Sequence, residues 1–259
     1  MDIKDKVAVI TGGASGIGKG LAERFKAEGA KGLVLADIDG DGARAVAENL
    51  GGVGMACDVG DEAQVRALVA EAERRFGPVD IFCSNAGILR IGDEDQPDAE
   101  IEDSLRINAL SHVYAARAVA PGMAERGSGY LLNTSSAAGI LIQVDSVAYT
   151  MSKHAAIGFA EFLAAKYGPS GVRVSVLCPQ GVRTGMTVGR GDKPSAARRR
   201  ARTRGRRRGG GPGHGRGALP DLPARNRLQI HAAQGRGPRP LAARHGQGAP
   251  HRGAGLGGL

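Results

Sequence analysis

Between residues 6 and 178, short apolar runs alternate with stretches in which apolar positions recur every three or four residues. The runs "KVAVIT" (6–11), "GLVLAD" (32–37), "VGMACD" (53–58), "VDIFCS" (79–84), "GYLLNTS" (129–135) and "VRVSVLC" (172–178) lack regular polar alternation, which is the pattern of strands buried on both faces. From Gly16 to Glu28, Leu21, Ala22 and Phe25 fall on one helical face, and Gly29 stops the pattern. Residues 41–50 read as a second helix. A third begins at the N-cap Asp61, turns Val65, Leu68, Val69, Ala72 and Phe76 inward, and ends at Gly77-Pro78. Further helical stretches cover about 98–125 and 148–167.

Strands of this kind, separated by helices, require a parallel sheet covered on both sides. Six of them joined by right-handed crossovers predict an α/β, doubly wound sheet of Rossmann type. The pattern stops after Met186. Gly, Arg, Ala and Pro supply 51 of the 73 residues from 187 to 259, and no Phe, Tyr or Trp occurs there. Such a segment buries too little apolar surface to offset chain entropy. The expectation is a domain over 1–186, an irregular or disordered basic tail over 187–259, and no seventh strand.

Charge sharpens this division. The formal net charge of +9 suggests a polyanionic partner. Yet residues 187–259 hold sixteen Arg and one Lys against two Asp, whereas residues 1–186 hold 18 basic and 24 acidic side chains. A nucleic-acid partner is therefore expected only if the tail is genuine. Arg, Gly, Ala and Pro have codon families that begin with two G or C bases, so an out-of-frame reading of a GC-rich gene yields this composition. The competing reading is an Arg/Gly arm that binds RNA phosphates, with the domain over 1–186 as a non-catalytic scaffold. Such arms interleave aromatic residues or repeat a short unit, and this one does neither.

Cys57, Cys83 and Cys178 form an odd count without a C-x-x-C pair, each in or at the end of an apolar run. They read as buried reduced thiols, with no metal site. The first apolar run is too short for a signal sequence, and no stretch approaches the roughly 18 apolar residues of a membrane span. A cytoplasmic protein without a membrane partner is expected.

The candidate chemistry lies at the ends of the strands. "TGGASGIG" (11–18) follows the first strand and opens the first helix. There Gly12 permits a tight turn, and Gly16 and Gly18 let backbone and helix N-terminus approach a pyrophosphate. Asp37 ends the second strand, where a carboxylate accepts both ribose hydroxyls of an adenosine. It would repel a 2′-phosphate, and Ser15 offers no cation to offset that, so NAD is favoured over NADP. Asp58, after the third strand, either reaches the adenine amino group or caps a helix. In "AYTMSKHAA", Tyr149 and Lys153 stand at i and i+4 on one helical face. A phenol titrates near pH 10, and a neighbouring ammonium is expected to lower that value. Ser136, in "NTSSAAG", lies thirteen residues before Tyr149 at the end of the fifth strand, where a hydroxyl can hold a substrate oxygen. Ser135 competes for that role; His154 sits off the active face.

The motifs "TGGASGIG", "SNAG" (84–87), "NTSS" and "YTMSK", in this order, resemble those of the short-chain dehydrogenase/reductase family over about residues 5–186. The resemblance implies a tetrad of Asn108, Ser136, Tyr149 and Lys153. Tyr149 would be the general acid/base, Ser136 would hold the carbonyl or alkoxide, and Lys153 would tune Tyr149 and bind the nicotinamide ribose. Asn108, in "LRINALSH", would bend its helix and hold a water in a proton relay; a plain structural hydrogen-bonding role for Asn108 and Asn85 stays open. Cofactor contacts would come from Gly12, Ser15, Gly16, Ile17, Gly18, Asp37, Asp58 and Val59, with Asn85, Ala86 and Gly87 as a wall. Val182 and Thr184 would meet the nicotinamide carboxamide. The implied activity is hydride transfer between NAD(P) and a secondary alcohol or ketone, in a homo-oligomer. Family members continue past the Thr184 position with a substrate-covering helix, a further helix and a seventh strand; this chain departs from that pattern.

Overall fold

The computed structural model describes residues 2–180 and the backbone of residues 230–231. The elements follow the predicted alternation: β1 (Val7–Thr11), α1 (Gly16–Ala27), β2 (Gly32–Asp37), α2 (Gly40–Asn49), β3 (Val53–Ala56), α3 (Glu62–Phe76) and β4 (Ile81–Ser84). Then come α4 (Asp98–Leu105), a π-helical turn (Arg106–Leu110), α5 (Ser111–Glu125), β5 (Gly129–Thr134), α6 (Val147–Tyr167) and β6 (Val172–Leu177). The stretch expected as helical at 98–125 is thus continuous but carries one wider turn.

These six strands lie parallel in the order β3-β2-β1-β4-β5-β6. Successive side chains of each strand leave opposite faces. Val9, Val34, Phe82, Leu131 and Val174 pack with Leu68 of α3, Val119 of α5 and Leu163 of α6. On the other face Ala8, Ile10, Leu33, Leu35, Ile81 and Cys83 pack with Ala22 and Phe25 of α1 and Ala47 of α2. Asp61 caps α3 as expected, accepting from the Ala63 N–H at 2.8 Å, and Gly77 ends it at φ +93°. Cys57 and Cys83 are buried free thiols, and Cys178 is a half-buried one.

A seventh strand, β7 (Ile230–His231), pairs antiparallel with β6, His231 opposite Val176 and Ile230 opposite Leu177. It comes from a stretch through which the sequence pattern predicts no strand. Two residues leave no periodicity to detect, and the free N–H and C=O groups of a sheet edge accept backbone of any composition. The rest of the expected tail lies outside the described residues, as do Val182 and Thr184.

The strand order reverses between β1 and β4, so the crossovers diverge there and leave the carboxyl ends of the strands uncovered. Thr11 and Asn85 tie those ends together. The Thr11 hydroxyl accepts from the Asn85 N–H at 2.9 Å and the Ala86 N–H at 3.1 Å, and the Asn85 amide donates to the Thr11 carbonyl at 3.0 Å.

Candidate active site

A cleft of about 650 Å³ opens above this switch point. Gly12 forms its floor at φ +68°, a conformation that L side chains rarely adopt. Gly18 lies behind the cleft, where any β-carbon would overlap the Gly12 carbonyl. Ser15 occupies the N-cap position of α1 but makes no side-chain cap bond, and the first turn of α1 carries no acidic residue. Free N–H groups and the positive end of the helix dipole therefore face the cleft. Gly16 and Ile17 line it. These features fit a pyrophosphate without rearrangement.

At the end of β2, Asp37 accepts from the Ala14 N–H at 3.1 Å and the Asp39 N–H at 3.2 Å, one bond to each carboxylate oxygen. Each oxygen keeps acceptor capacity for a ribose hydroxyl. Asp58 and Val59 also line the cleft. Asp58 caps no helix; it accepts from the Gly60 N–H at 2.8 Å and pairs with Arg106 at 3.2 Å. Arg106 also binds Asp103, which in turn holds Arg90, and these two guanidinium groups keep the Asp103 carboxyl below the usual range.

Ser136, Tyr149 and Lys153 line the same cleft. Ser146 caps α6, accepting from the Tyr149 N–H at 3.1 Å while donating to the Arg90 carbonyl at 2.5 Å. Burial raises the Tyr149 phenol above its ordinary value, and the Ser136 hydroxyl offsets part of that rise. This corrects the expectation that Lys153 lowers it: the Lys153 ammonium stands 5.6 Å from the ring centroid, and desolvation of the phenolate dominates. Lys153 is itself only 3% exposed and donates to the Thr134 carbonyl at 3.0 Å. Burial pushes its ammonium down to about 8. The Ser135 hydroxyl is buried and donates to the Lys153 carbonyl at 2.8 Å, whereas Ser136 faces the cleft. His154 is exposed and binds the Thr150 carbonyl of its own helix.

Asn108 sits in the middle of the π-helical turn, the local widening expected of a bent helix. It is fully buried rather than on the cleft surface. Its amide oxygen accepts from the Ile88 N–H at 2.8 Å, and its amide nitrogen donates to the Ile88 carbonyl at 2.9 Å and the Ser152 hydroxyl at 3.0 Å. Asn108 therefore clamps the irregular segment that follows Gly87 to α6. Above Gly87, a β-carbon would sit 2.9 Å from the Asn108 amide oxygen and 3.3 Å from the Lys153 ammonium. Only glycine leaves that niche open. Asn85 and Ala86 continue the same wall.

Sequence reasoning missed Arg106 and Ser146. Arg106 acts through Asp58, 48 residues away, which no local pattern links to it. Ser146 carried a usable signal, being a serine three residues before Tyr149 at the start of a helical pattern.

A doubly wound parallel sheet with a glycine loop and a Ser–Tyr–Lys group around one cleft defines a Rossmann-type oxidoreductase domain. The chain belongs to the short-chain dehydrogenase family, whose model matches residues 6–195. It is 38% identical over 200 residues to the 1-deoxy-11-beta-hydroxypentalenate dehydrogenase of Streptomyces exfoliatus, covering 73% of this chain and 72% of that protein. It is 37% identical over 185 residues to the D-threitol dehydrogenase of Mycolicibacterium smegmatis, covering 69% and 71%. The crystal structure of levodione reductase superposes with a TM-score of 0.68 at 35% identity, over 71% of this chain and 74% of that one.

Proposed function

We propose that this oxidoreductase uses NAD to interconvert a secondary alcohol and a ketone, with Tyr149 as general acid/base. The observation that carries this reading is the meeting of the glycine loop, Asp37, Ser136, Tyr149 and Lys153 around one cleft. NAD, when bound, supplies or takes up the hydride. In reduction Tyr149 gives its phenolic proton to the carbonyl oxygen; in oxidation it takes the hydroxyl proton. Ser136 holds that oxygen in place, and the Lys153 ammonium stabilises the phenolate left behind. Preference for NAD is supported by Asp37 at the ribose position. Of the cations lining the cleft, Arg106 is tied to Asp58 and Asp103, and Lys153 stands beside Tyr149.

Ile140, Leu141, Ile142 and Val144, between Ser136 and Tyr149 in the chain, are 60% to 70% exposed and favour an apolar substrate. Among the described residues no helix is long and apolar enough to cross a membrane. Three free thiols fit a reducing compartment, hence the cytoplasm. The catalytic reading covers residues 1–186, and residues 187–259 are read as an out-of-frame addition.

The decisive experiment compares the protein with its Tyr149→Phe variant on a panel of secondary alcohols and ketones, alongside NAD titration. Turnover should vanish while the NAD dissociation constant stays within about twofold, because only the proton donor is removed. Loss of binding together with turnover would count against the assignment.

A further inference from the structure

Asp58 stands two residues past β3, beside the strand end that carries Asp37; the Cys57 N–H donates to the Asp37 carbonyl at 2.8 Å. Ile38, 77% exposed, and Val59 line the cleft next to these two carboxylates. Apolar walls with a carboxylate at the edge suit a flat heterocycle that carries a hydrogen-bond donor. The start of α3 already fixes the backbone of Asp58. Its N–H donates to the Gln64 side-chain oxygen at 2.9 Å, and its carbonyl accepts from the Asp61 N–H at 3.0 Å. The carboxylate is then held at both oxygens: one accepts from the Gly60 N–H at 2.8 Å, the other from the Arg106 guanidinium at 3.2 Å.

Arg106 is itself held in place for that bond. Its second terminal nitrogen donates to Asp103 at 2.8 Å, and Asp103 gives its other oxygen to Arg90. The guanidinium fork therefore spans two carboxylates, a pattern that a single ammonium cannot copy. It lies against Gly60, where any β-carbon would overlap it. The side chains of Asp58, Asp103 and Arg106 are 24% to 39% exposed, and ion pairs exposed to that degree add little to stability. All three line the cleft, so their order bears on what the cleft binds. We infer that Arg106 is a positioning residue for base selection: it locks the Asp58 carboxylate as a hydrogen-bond acceptor on the cleft wall, and so selects a purine with an exocyclic amino group over one with a carbonyl in its place. The inference rests on the dinucleotide cofactor proposed above and deepens it. The adenine amino group donates to a fixed carboxylate, whereas the hypoxanthine carbonyl sets acceptor against acceptor.

Calorimetric titration of the full chain with NAD and with nicotinamide hypoxanthine dinucleotide reads this selection without turnover. The parent should bind NAD roughly tenfold more tightly than the hypoxanthine analogue. Arg106→Met, which keeps the aliphatic stem, should bring the two affinities within about twofold of each other. Asp58→Asn, whose amide can donate or accept, should do the same. Adding Arg106→Met to Asp58→Asn should leave the ratio where it is, because Arg106 acts through Asp58. A parent-like ratio in Arg106→Met overturns the inference, since a merely structural residue would weaken both dinucleotides equally; so does a further change in the double variant. If Arg106→Met does not fold, Gly60→Ala displaces the guanidinium with its β-carbon, and a parent-like ratio there overturns the inference too. A parent that binds both dinucleotides equally overturns base selection and leaves the NAD reading standing; a parent that binds neither removes both.

Discussion

At the scale of single residues, the site places two groups of opposite charge preference in a low-dielectric pocket. Tyr149 is raised and Lys153 is lowered, both by burial, so near neutral pH the phenol holds its proton and the ammonium keeps its charge. That is the state needed to protonate a ketone. Reduction should therefore hold steady through neutral pH and decline above about 8 as Lys153 loses its proton, which a pH profile of kcat on a ketone would record. His112 makes a separate prediction about stability. Burial and the Lys153 charge depress it from 6.5 to about 3, so the folded protein holds it neutral while the unfolded chain protonates below 6.5. Stability from this group is complete above pH 6.5 and is lost as pH falls toward 3. Denaturant melts at pH 7 and near pH 4.5 should show an acid loss roughly 3 kcal/mol smaller in His112→Gln than in the parent. The i, i+4 spacing of Tyr149 and Lys153 was legible along the chain. The raised phenol was not, because desolvation depends on what three-dimensional packing removes from water.

At the scale of elements, caps and one irregular turn carry the positioning. Asp61 caps α3 well away from the cleft; Asp61→Ala should lower unfolding stability by about 1 kcal/mol and leave turnover unchanged. Ser146 caps the helix that carries Tyr149 and also holds the Arg90 carbonyl, which ties the loops around Gly92 and Asp145 to it; the Gly92 N–H donates to the Asp145 carbonyl at 3.1 Å, and the Gly92 carbonyl accepts from the Val147 N–H at 3.0 Å. Ser146→Ala should lower stability by a similar amount, about 1 kcal/mol, and lower kcat as well, because Tyr149 loses its fixed start. Equal kcat in the two cap variants would show that Ser146 does no positioning. Strand and helix existence followed from hydrophobic spacing alone. The π-helical turn left no such trace, since one extra residue in a turn shifts no apolar position enough to stand out; the resemblance to a family pointed to the bend at Asn108.

At the scale of the whole molecule, the acidic front and the basic final 73 residues set different expectations. Resequencing across codons 180–200 and translating all three frames should recover an amphipathic helix and an apolar strand in another frame. If no frame reads as protein, the sixteen arginines should bind RNA with an affinity that falls steeply as salt rises, measured by titration at several ionic strengths. Removing Asp37 tests the cofactor end of the same molecule. If the proposed preference for NAD holds, Asp37→Ala should weaken NAD and narrow its advantage over NADP, because the carboxylate assigned there to accept ribose hydroxyls and repel a 2′-phosphate would be gone.

Local order along the chain was enough for the class of fold: buried strands spaced by helices allow only a covered parallel sheet, and the glycine loop, Asp37, Ser136 and the Tyr149–Lys153 pair stand at strand ends or on one helical face. What required folding was everything that joins distant positions. Asp58 meets Arg106, Asn108 meets Ile88 and Ser152, His112 comes under the Lys153 charge, and β7 finds the free edge of β6. Periodicity reports which face a residue takes within its own element. It carries no information about which residue of another element will face it, nor how much water the two will share.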